Sequence, residues 1–213
     1  MENIKIDYIE IEFLSDTTFS SGYECVGQVD VEIEHDELGL PMLSGKTLHG
    51  LLRDGCLSLK NTFAFSDELI QRVFGIGKDN SEKAILKISD AKFDDNTREW
   101  LNYAENREFS SITAEMVLES LTSIRTQTSI EPNGTPKEGS LRYSRVANRG
   151  IKLKSKIIWK EAPTIEELKC LSISALAVKH AGWERNRGRG YVKVTLNGDL
   201  ELTRCIAQEE IIK

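Results

Sequence analysis

The residues with the clearest capacity for chemistry are three arginines in a glycine-rich stretch, Gly-Trp-Glu-Arg-Asn-Arg-Gly-Arg-Gly at residues 182–190. Arg185, Arg187 and Arg189 carry planar guanidinium groups that match the oxygens of a phosphate or a carboxylate. The glycines allow positive φ angles and let another backbone approach closely. The stretch therefore indicates a phosphate-binding loop, although a solvated turn whose arginines only add solubility has the same composition.

A second candidate anion site lies at the start of a predicted helix. Ser44 is a suitable N-cap, and leucines at helical spacing predict a helix that runs to about Leu59. Lys46 and the free backbone N–H groups of the first turn would attract an anion, with support from the helix dipole. The alternative is that Lys46 is only solvated and that Arg53 pairs with a nearby carboxylate.

Charge is unevenly distributed along the chain, whose net charge is −6. Residues 1–40 hold eleven acidic side chains against one lysine, whereas residues 125–160 hold nine lysines and arginines against two glutamates. The net charge argues against nonspecific binding to nucleic acid, but the distribution matters more than the total. It fits a molecule with one nucleic-acid face, or subunits that stack head to tail through opposite charges.

The elements that must position these residues follow from the hydrophobic pattern. In chain order, the predicted elements are a strand at 3–13, helices at 44–59 and 67–74, a strand at 84–93, helices at 97–107 and 113–121, an extended hairpin at 124–150, a strand at 151–159, a helix from Thr164, and a β-hairpin at 191–203 turning at Asn197 and Gly198. Two strand–helix–strand halves predict an α+β fold. Its core would be a ferredoxin-like (RRM-like) antiparallel sheet with helices on one face.

Bulk properties place the chain among ordinary globular proteins. Its 213 residues contain no Ser/Gly/Pro-rich linker, so we expect residues 1–213 to form a single domain with an insertion at 124–150. The cysteines show no C-x-x-C pair and are expected to be buried free thiols. The sequence lacks a signal-peptide pattern and an apolar run near the ~20 residues that span a bilayer, so we expect a cytoplasmic protein with no membrane partner.

Four segments occur in a distinctive order. They are Leu-Pro-Met-Leu-Ser-Gly-Lys-Thr-Leu-His-Gly-Leu-Leu-Arg at 40–53, Gln-Arg-Val-Phe-Gly at 71–75 with Ser-Asp-Ala at 89–91, the polar basic hairpin at 124–150, and the glycine-rich loop at 182–190. Together they resemble the RAMP superfamily of CRISPR-associated RNA-binding proteins, in particular the repeating backbone subunits of type III effector complexes. The loop departs from the family pattern in carrying Trp183 and Glu184 where small residues are common.

The resemblance implies a guide-RNA-binding subunit whose partners are guide RNA, target RNA, other effector subunits and copies of itself. The family's thumb hairpin corresponds to residues 124–150 and would wedge between bases. The implied RNA-binding residues are Lys46, Arg53, Arg125, Arg142, Arg145, Arg185, Arg187 and Arg189, together with Gly182, Gly188 and Gly190 of the loop. Contacts of this kind bind phosphates without selecting a sequence, as a subunit that accepts any guide requires.

The resemblance also implies a catalytic residue. In the family, a loop after the first strand carries an aspartate that cleaves target RNA, and Asp30 matches that position, with Asp36 as the reserve candidate. A carboxylate can hold a divalent metal, here Mg²⁺ or Mn²⁺, or orient a ribose 2′-hydroxyl for attack on the adjacent phosphate. No cofactor is expected if the chain is not catalytic.

Two alternative functions stay open at this point. His35, His49 and His180 could support the metal-independent acid–base cleavage of a CRISPR repeat-processing endoribonuclease. A noncatalytic RAMP-like capping or structural module would need neither the aspartate nor the histidines.

Overall fold

The computed structural model describes residues 5–20, 29–76, 84–105, 112–185 and 187–208. Its strands are β1 (Tyr8–Phe13), β2 (Leu86–Ile88), β3 (Thr122–Gln127), β4 (Arg142–Ala147), β5 (Lys152–Trp159) and β6 (Val192–Leu196). Its helices are α1 (Gly45–Leu59), α2 (Asp67–Phe74), α3 (Asp95–Glu105), α4 (Ala114–Leu121), α5 (Ile165–Ala177) and α6 (Leu200–Gln208).

Four of the strands form one antiparallel sheet in the order β2-β5-β1-β6. Counted along the chain, the four strands of this sheet are β1, β2, β5 and β6. The first of them, β1, therefore lies between the third (β5) and the fourth (β6), and the second (β2) is at an edge. This order, with helices in the two crossovers, is the ferredoxin-like arrangement. The predicted fold class is confirmed.

The two faces of this sheet differ in chemistry because side chains alternate along each strand. On one face Ile9, Ile11 and Phe13 of β1 are buried in the same core as residues of α1, α5 and α6. On the other face Glu10 stands opposite Lys154 of β5, and the lysines of β5 are exposed. The helices therefore cover one face, as predicted, and the other face is charged.

The hairpin is a separate two-stranded sheet of β3 and β4, as the sequence predicted. It joins the body through backbone bonds to the segment that follows β1. Thr17 and Ala147 exchange two such bonds of 3.0 and 2.8 Å, and the backbone N–H of Arg145 donates to the carbonyl of Val31 at 2.9 Å. The base of the hairpin is thus fixed to the N-terminal part of the chain.

The predicted strand after Asn197 and Gly198 is wrong, since residues 200–208 form α6. The tight turn itself is present, with φ angles of 53° and 70° at the two positions. Asp199 then caps a helix, because its Oδ1 accepts from the backbone N–H of Leu202 at 3.0 Å. The local pattern fitted both structures, and α6 is the one that packs against α5.

The apolar and aromatic residues of α3 and α4, which their sequence would place in the core, are only partly buried. Leu101 and Ala104 are buried, but Trp100 is 61% exposed and Met116 is 52% exposed. A short amphipathic helix presents only one stripe to the core, and the two large side chains lie outside that stripe.

Glu167 ties the start of α5 to α2. Its side chain accepts from the backbone N–H of Thr164 at 2.7 Å, which completes a capping box at the predicted helix start, and from Arg72 Nε at 2.6 Å. Burial raises the pKa of Glu167, but the hydrogen bonds from Thr164 and the ion pair with Arg72 outweigh it, and the net pKa lies below the ordinary 4.5.

We expect Glu167→Gln to lower the free energy of unfolding by about 1–3 kcal/mol at neutral pH, because bonds to a charged acceptor are lost. A lowered pKa means that this stability is present above pH 4.5 and is lost as the pH falls through the folded-state pKa. Denaturant titrations from pH 7 downwards should therefore show wild type and variant converging in acid. Glu166→Gln, at the exposed neighbouring position, is the control and should show no such convergence.

Candidate nucleic-acid interface

The glycine-rich loop is closed at its neck by backbone contacts. The N–H of Ala181 donates to the carbonyl of Gly190 at 2.8 Å, and the N–H of Trp183 donates to the carbonyl of Thr18 at 2.9 Å. A Cβ at Gly182 would lie 2.4 Å from the Thr18 carbonyl oxygen, and one at Gly190 would lie 2.1 Å from that of Ala181. These two glycines are therefore required by the close approach of backbones.

Gly188 differs from these two glycines. A Cβ built on it meets no atom within 4 Å, and the residue lines an open cleft. Of Gly182, Gly188 and Gly190, only Gly188 lines the cleft and is open to a ligand there.

Glu184 organises the arginines of the loop. Its φ of 57° is left-handed, and its side chain is only 8% exposed. Its two carboxylate oxygens each lie 3.1 Å from a guanidinium Nη1, one of Arg187 and the other of Arg189, and the group also accepts from Gln127 of β3. The departure from small residues at this position therefore has a structural role, which is to join the loop to the hairpin.

A cleft of about 470 Å³ lies where the loop, the hairpin and the end of β1 meet. Its lining includes three arginines, which are Arg125, Arg149 and Arg189. Asp16 stands among them, with its Oδ2 3.1 Å from Nε of Arg125 and its Oδ1 accepting from the backbone N–H of Arg149 at 3.4 Å. We call this region the arginine cleft. Its chemistry suits phosphate oxygens, which guanidinium groups bind in pairs of hydrogen bonds.

The other predicted arginines fall into two groups. Arg142, Arg185 and Arg187 have exposed side chains on the hairpin and the loop. Arg145 is buried, and its Nε lies 2.9 Å from Glu32 Oε1, so its guanidinium is used inside the protein. Arg149 was not among the predicted RNA-binding residues, and its only sequence signal is its place in the basic stretch between β4 and β5.

Lys46 and Arg53 lie in a second cavity, of about 710 Å³, between α1 and β2. His49 lines the same cavity, so the structure brings together two predicted RNA-binding residues and one of the three histidines. Ser44 is the N-cap as predicted. The first-turn N–H of Gly45, however, already donates to Asp90 Oδ1 at 2.8 Å, so Asp90 supplies an anion at the start of the helix.

The two candidate catalytic aspartates have different surroundings. Asp30 is exposed beside the hairpin, where its Oδ2 accepts from the backbone N–H of Tyr143 at 2.7 Å. Asp36 is buried, accepts from the backbone N–H groups of Leu38 and Leu40, and pairs with Arg98. Asp30 is thus the one of the two that solvent reaches.

The family model of the RAMP superfamily matches residues 10–193, which is most of the chain. The chain belongs to the RAMP superfamily. The match includes the arginine cleft, the α1 cavity and the hairpin. A comparison with curated proteins found no matching sequence.

Solved structures of low sequence identity share the RAMP fold of this chain. A chain of the type III-B Cmr-β complex bound to cognate target RNA, determined by cryo-EM, superposes with a TM-score of 0.64 at 11% identity, covering 95% of this chain and 98% of that one. A chain of the apo Cmr-β complex gives a TM-score of 0.65 at 13% identity, covering 91% and 97%. At such identities the similarity concerns the fold.

The surroundings of Asp30 bear on the expected metal. Across the described ranges, no three His, Cys, Asp or Glu side chains converge as metal ligands would. The expected binding of Mg²⁺ or Mn²⁺ at Asp30 stays a prediction. In the same part of the chain, no helix is long and apolar enough to cross a membrane.

The three histidines lie on different elements. His35 lies 3.0 Å through its Nδ1 from the carbonyl of Asp36, and the ring of His180 packs against Tyr191. His49 is half-buried in the α1 cavity against Phe74, and burial, followed by the charge of Arg53, lowers its pKa.

The different surroundings of the two aspartates lead to a stability prediction. Asp36→Ala should lower the free energy of unfolding by about 3–5 kcal/mol, because it leaves Arg98 without its buried partner. Asp30→Ala should change it by less than about 1.5 kcal/mol, the value of one hydrogen bond at an exposed site. Chemical denaturation of both variants measures the difference, and equal losses would contradict the assignment of Asp36 to the framework.

Proposed function

We propose that this RAMP protein is a guide-RNA-binding backbone subunit of a type III CRISPR effector complex. Its family membership and its fold likeness to chains of Cmr-β complexes support a CRISPR role. The observation that carries the RNA-binding part is the arginine cleft, where the glycine loop and the hairpin bring three arginines around one opening. One of the two Cmr-β structures contains target RNA, which supports RNA as the ligand class.

In this proposal the RNA backbone passes along the arginine cleft. Arg125 and Arg149 meet its phosphates from the hairpin side, and Arg189 meets them from the loop side. Arg187 is exposed on the same loop and meets the strand next to the cleft. Such contacts fix the path of the strand and carry no sequence information. The subunit would therefore accept guides of any sequence.

The hairpin supplies apolar surface for the bases. Its exposed large side chains are Ile124, Ile130, Leu141 and Tyr143. Apolar side chains can insert between bases and unstack them, and an aromatic ring can stack on one. The predicted wedge function of the hairpin is consistent with this surface, and the proposed partners are guide RNA, target RNA, other effector subunits and further copies of this chain.

Cleavage of target RNA is the finer part of the proposal. Asp30 lies at the hairpin, bonded through Oδ2 to the N–H of Tyr143, and its side chain is exposed. The carboxylate would orient or deprotonate a ribose 2′-hydroxyl, which then attacks the adjacent phosphate and expels the 5′-oxygen of the next nucleotide. Dependence on Mg²⁺ or Mn²⁺ stays a prediction.

We expect Arg149→Ala and Arg187→Ala each to weaken binding of single-stranded RNA and to lower the salt slope by about 0.7 per lost phosphate contact. Truncating Arg149 leaves its backbone bond to Asp16 in place. Fluorescence anisotropy over a range of salt concentrations measures both effects. Arg204→Ala is a matched control, because Arg204 pairs with Glu201 at the same spacing as Arg187 with Glu184, but lies on α6. Slopes equal to that of the control would contradict the role of the arginine cleft.

Asp30→Asn should abolish cleavage of a target RNA complementary to the guide while RNA binding remains, with a rate loss of about 10²–10⁴-fold. Asparagine keeps an oxygen that can accept from the Tyr143 N–H, so the local structure should be retained. Gel analysis of guide-loaded protein, with Mg²⁺ or with EDTA, tests both the residue and the metal. Cleavage of repeat RNA in EDTA that is lost in His35→Ala or His180→Ala would instead indicate a repeat-processing enzyme, and binding without any cleavage would indicate a noncatalytic subunit.

A further inference from the structure

The α1 cavity has a volume of about 710 Å³ and lies between α1 and β2. Ligand pockets for small molecules have volumes of about 300–1,000 Å³. The cavity is therefore large enough for a nucleotide. It exists partly because Gly50, on the helix face that lines it, has no side chain, and a Cβ there would meet no atom within 4 Å.

The floor of the cavity is apolar and aromatic. Phe74, Ala84 and Leu86 line it and are almost fully buried by the rest of the protein. The ring of His49 packs edge-on against Phe74, with 5.6 Å between the ring centroids. Burial and the charge of Arg53 lower the pKa of His49, which favours its neutral imidazole. An apolar, aromatic surface of this kind suits an aromatic ligand better than it suits an ion.

The rim of the cavity is cationic. Lys46 and Lys87 are exposed on opposite walls, and Arg53 lines the same opening. The Arg53 Nε is buried and has no hydrogen-bond partner among the described residues. A buried donor without an acceptor costs free energy, so an incoming acceptor at this point would be bound favourably.

We propose that the α1 cavity holds one unstacked nucleotide of the bound RNA, with its base against His49 and Phe74 and with Arg53 and the rim lysines on its sugar–phosphate. This inference rests on the proposed function, since it adds a base-binding subsite to a strand held by its phosphates. Proteins that bind single-stranded nucleic acid without sequence preference combine cations for the backbone with an apolar surface for the bases. Any base can bind such a surface, because every base has a flat face that can stack.

The proposal is tested by filling the cavity without changing any charge. Gly50→Leu places a side chain in the opening, and Gly50→Ala is the control that adds only a methyl group to the same helix position. Gly50→Leu should weaken binding of single-stranded RNA by roughly 5- to 150-fold, the range that stacking of one base corresponds to, with no change in the salt slope. On a strand of abasic ribose phosphates, the two variants should bind equally.

The outcomes separate this inference from the proposed function. If the wild-type chain does not bind RNA at all, the proposed function fails. If the wild type binds and Arg187→Ala weakens binding, but Gly50→Leu equals Gly50→Ala on intact RNA, the nucleotide pocket is overturned while the proposed function stands. An equal penalty on intact and abasic strands would also overturn the pocket, because the base would then have no role.

A second measurement keeps the proposal testable if Gly50→Leu does not fold. Wild-type protein is mixed with RNA that contains 5-bromouracil and is irradiated, and the crosslinked peptides are identified by mass spectrometry. Crosslinks to His49 or Phe74 are expected. Crosslinks confined to residues 124–150 and 182–190 would overturn the proposal.

Discussion

The buried ion pair between Glu32 and Arg145 is the contact on which the placement of the hairpin depends. Both side chains are about a tenth exposed, at 10% and 9%, and Nε of Arg145 lies 2.9 Å from Oε1 of Glu32. A buried charge that loses its partner is strongly destabilising, so the two segments cannot separate without a large cost. Because Asp30 is only two residues from Glu32, the same pair determines where that exposed carboxylate stands against β4. The relation between the candidate catalytic residue and the hairpin thus follows from this ion pair together with the direct hydrogen bonds between Asp30 and Tyr143.

This pairing changes the meaning of the uneven charge. By sequence alone, the acidic N-terminal stretch and the basic stretch at 125–160 fit either one nucleic-acid face or subunits that stack head to tail through opposite charges. In the structure the two stretches partly neutralise each other, since Asp16 pairs with Arg125 and Glu32 pairs with Arg145. The charge that remains for external partners is therefore smaller than the composition indicates, and it lies on exposed arginines of the hairpin and the loop and on the exposed lysines of β5.

How much could be predicted from the sequence depended on whether the decisive contact was local. Ser44 and Thr164 marked helix starts correctly because an N-cap acts within three residues. The tight turn at Asn197 and Gly198 is compatible with either a strand or a helix after it. The helix α6 forms because it packs against α5. Similarly, nothing local distinguishes the buried Arg145 from the exposed Arg149, because the burial of Arg145 depends on Glu32, more than 100 residues away in the sequence. The cavity beside Gly50 is formed by two distant segments and has no sequence pattern of its own.

Glu184 has a consequence for how the loop selects its ligands. The Glu184 carboxylate already pairs with the guanidinium groups of Arg187 and Arg189. An incoming anion that binds one of these arginines must therefore replace Glu184 as its partner. The net gain for a single phosphate is then small, because the internal pair must be given up. A polyanion that engages several arginines at once gains from each further exchange without a new loss of translational freedom. In the proposed function, this exchange would disfavour free nucleotides and small anions and favour a continuous strand.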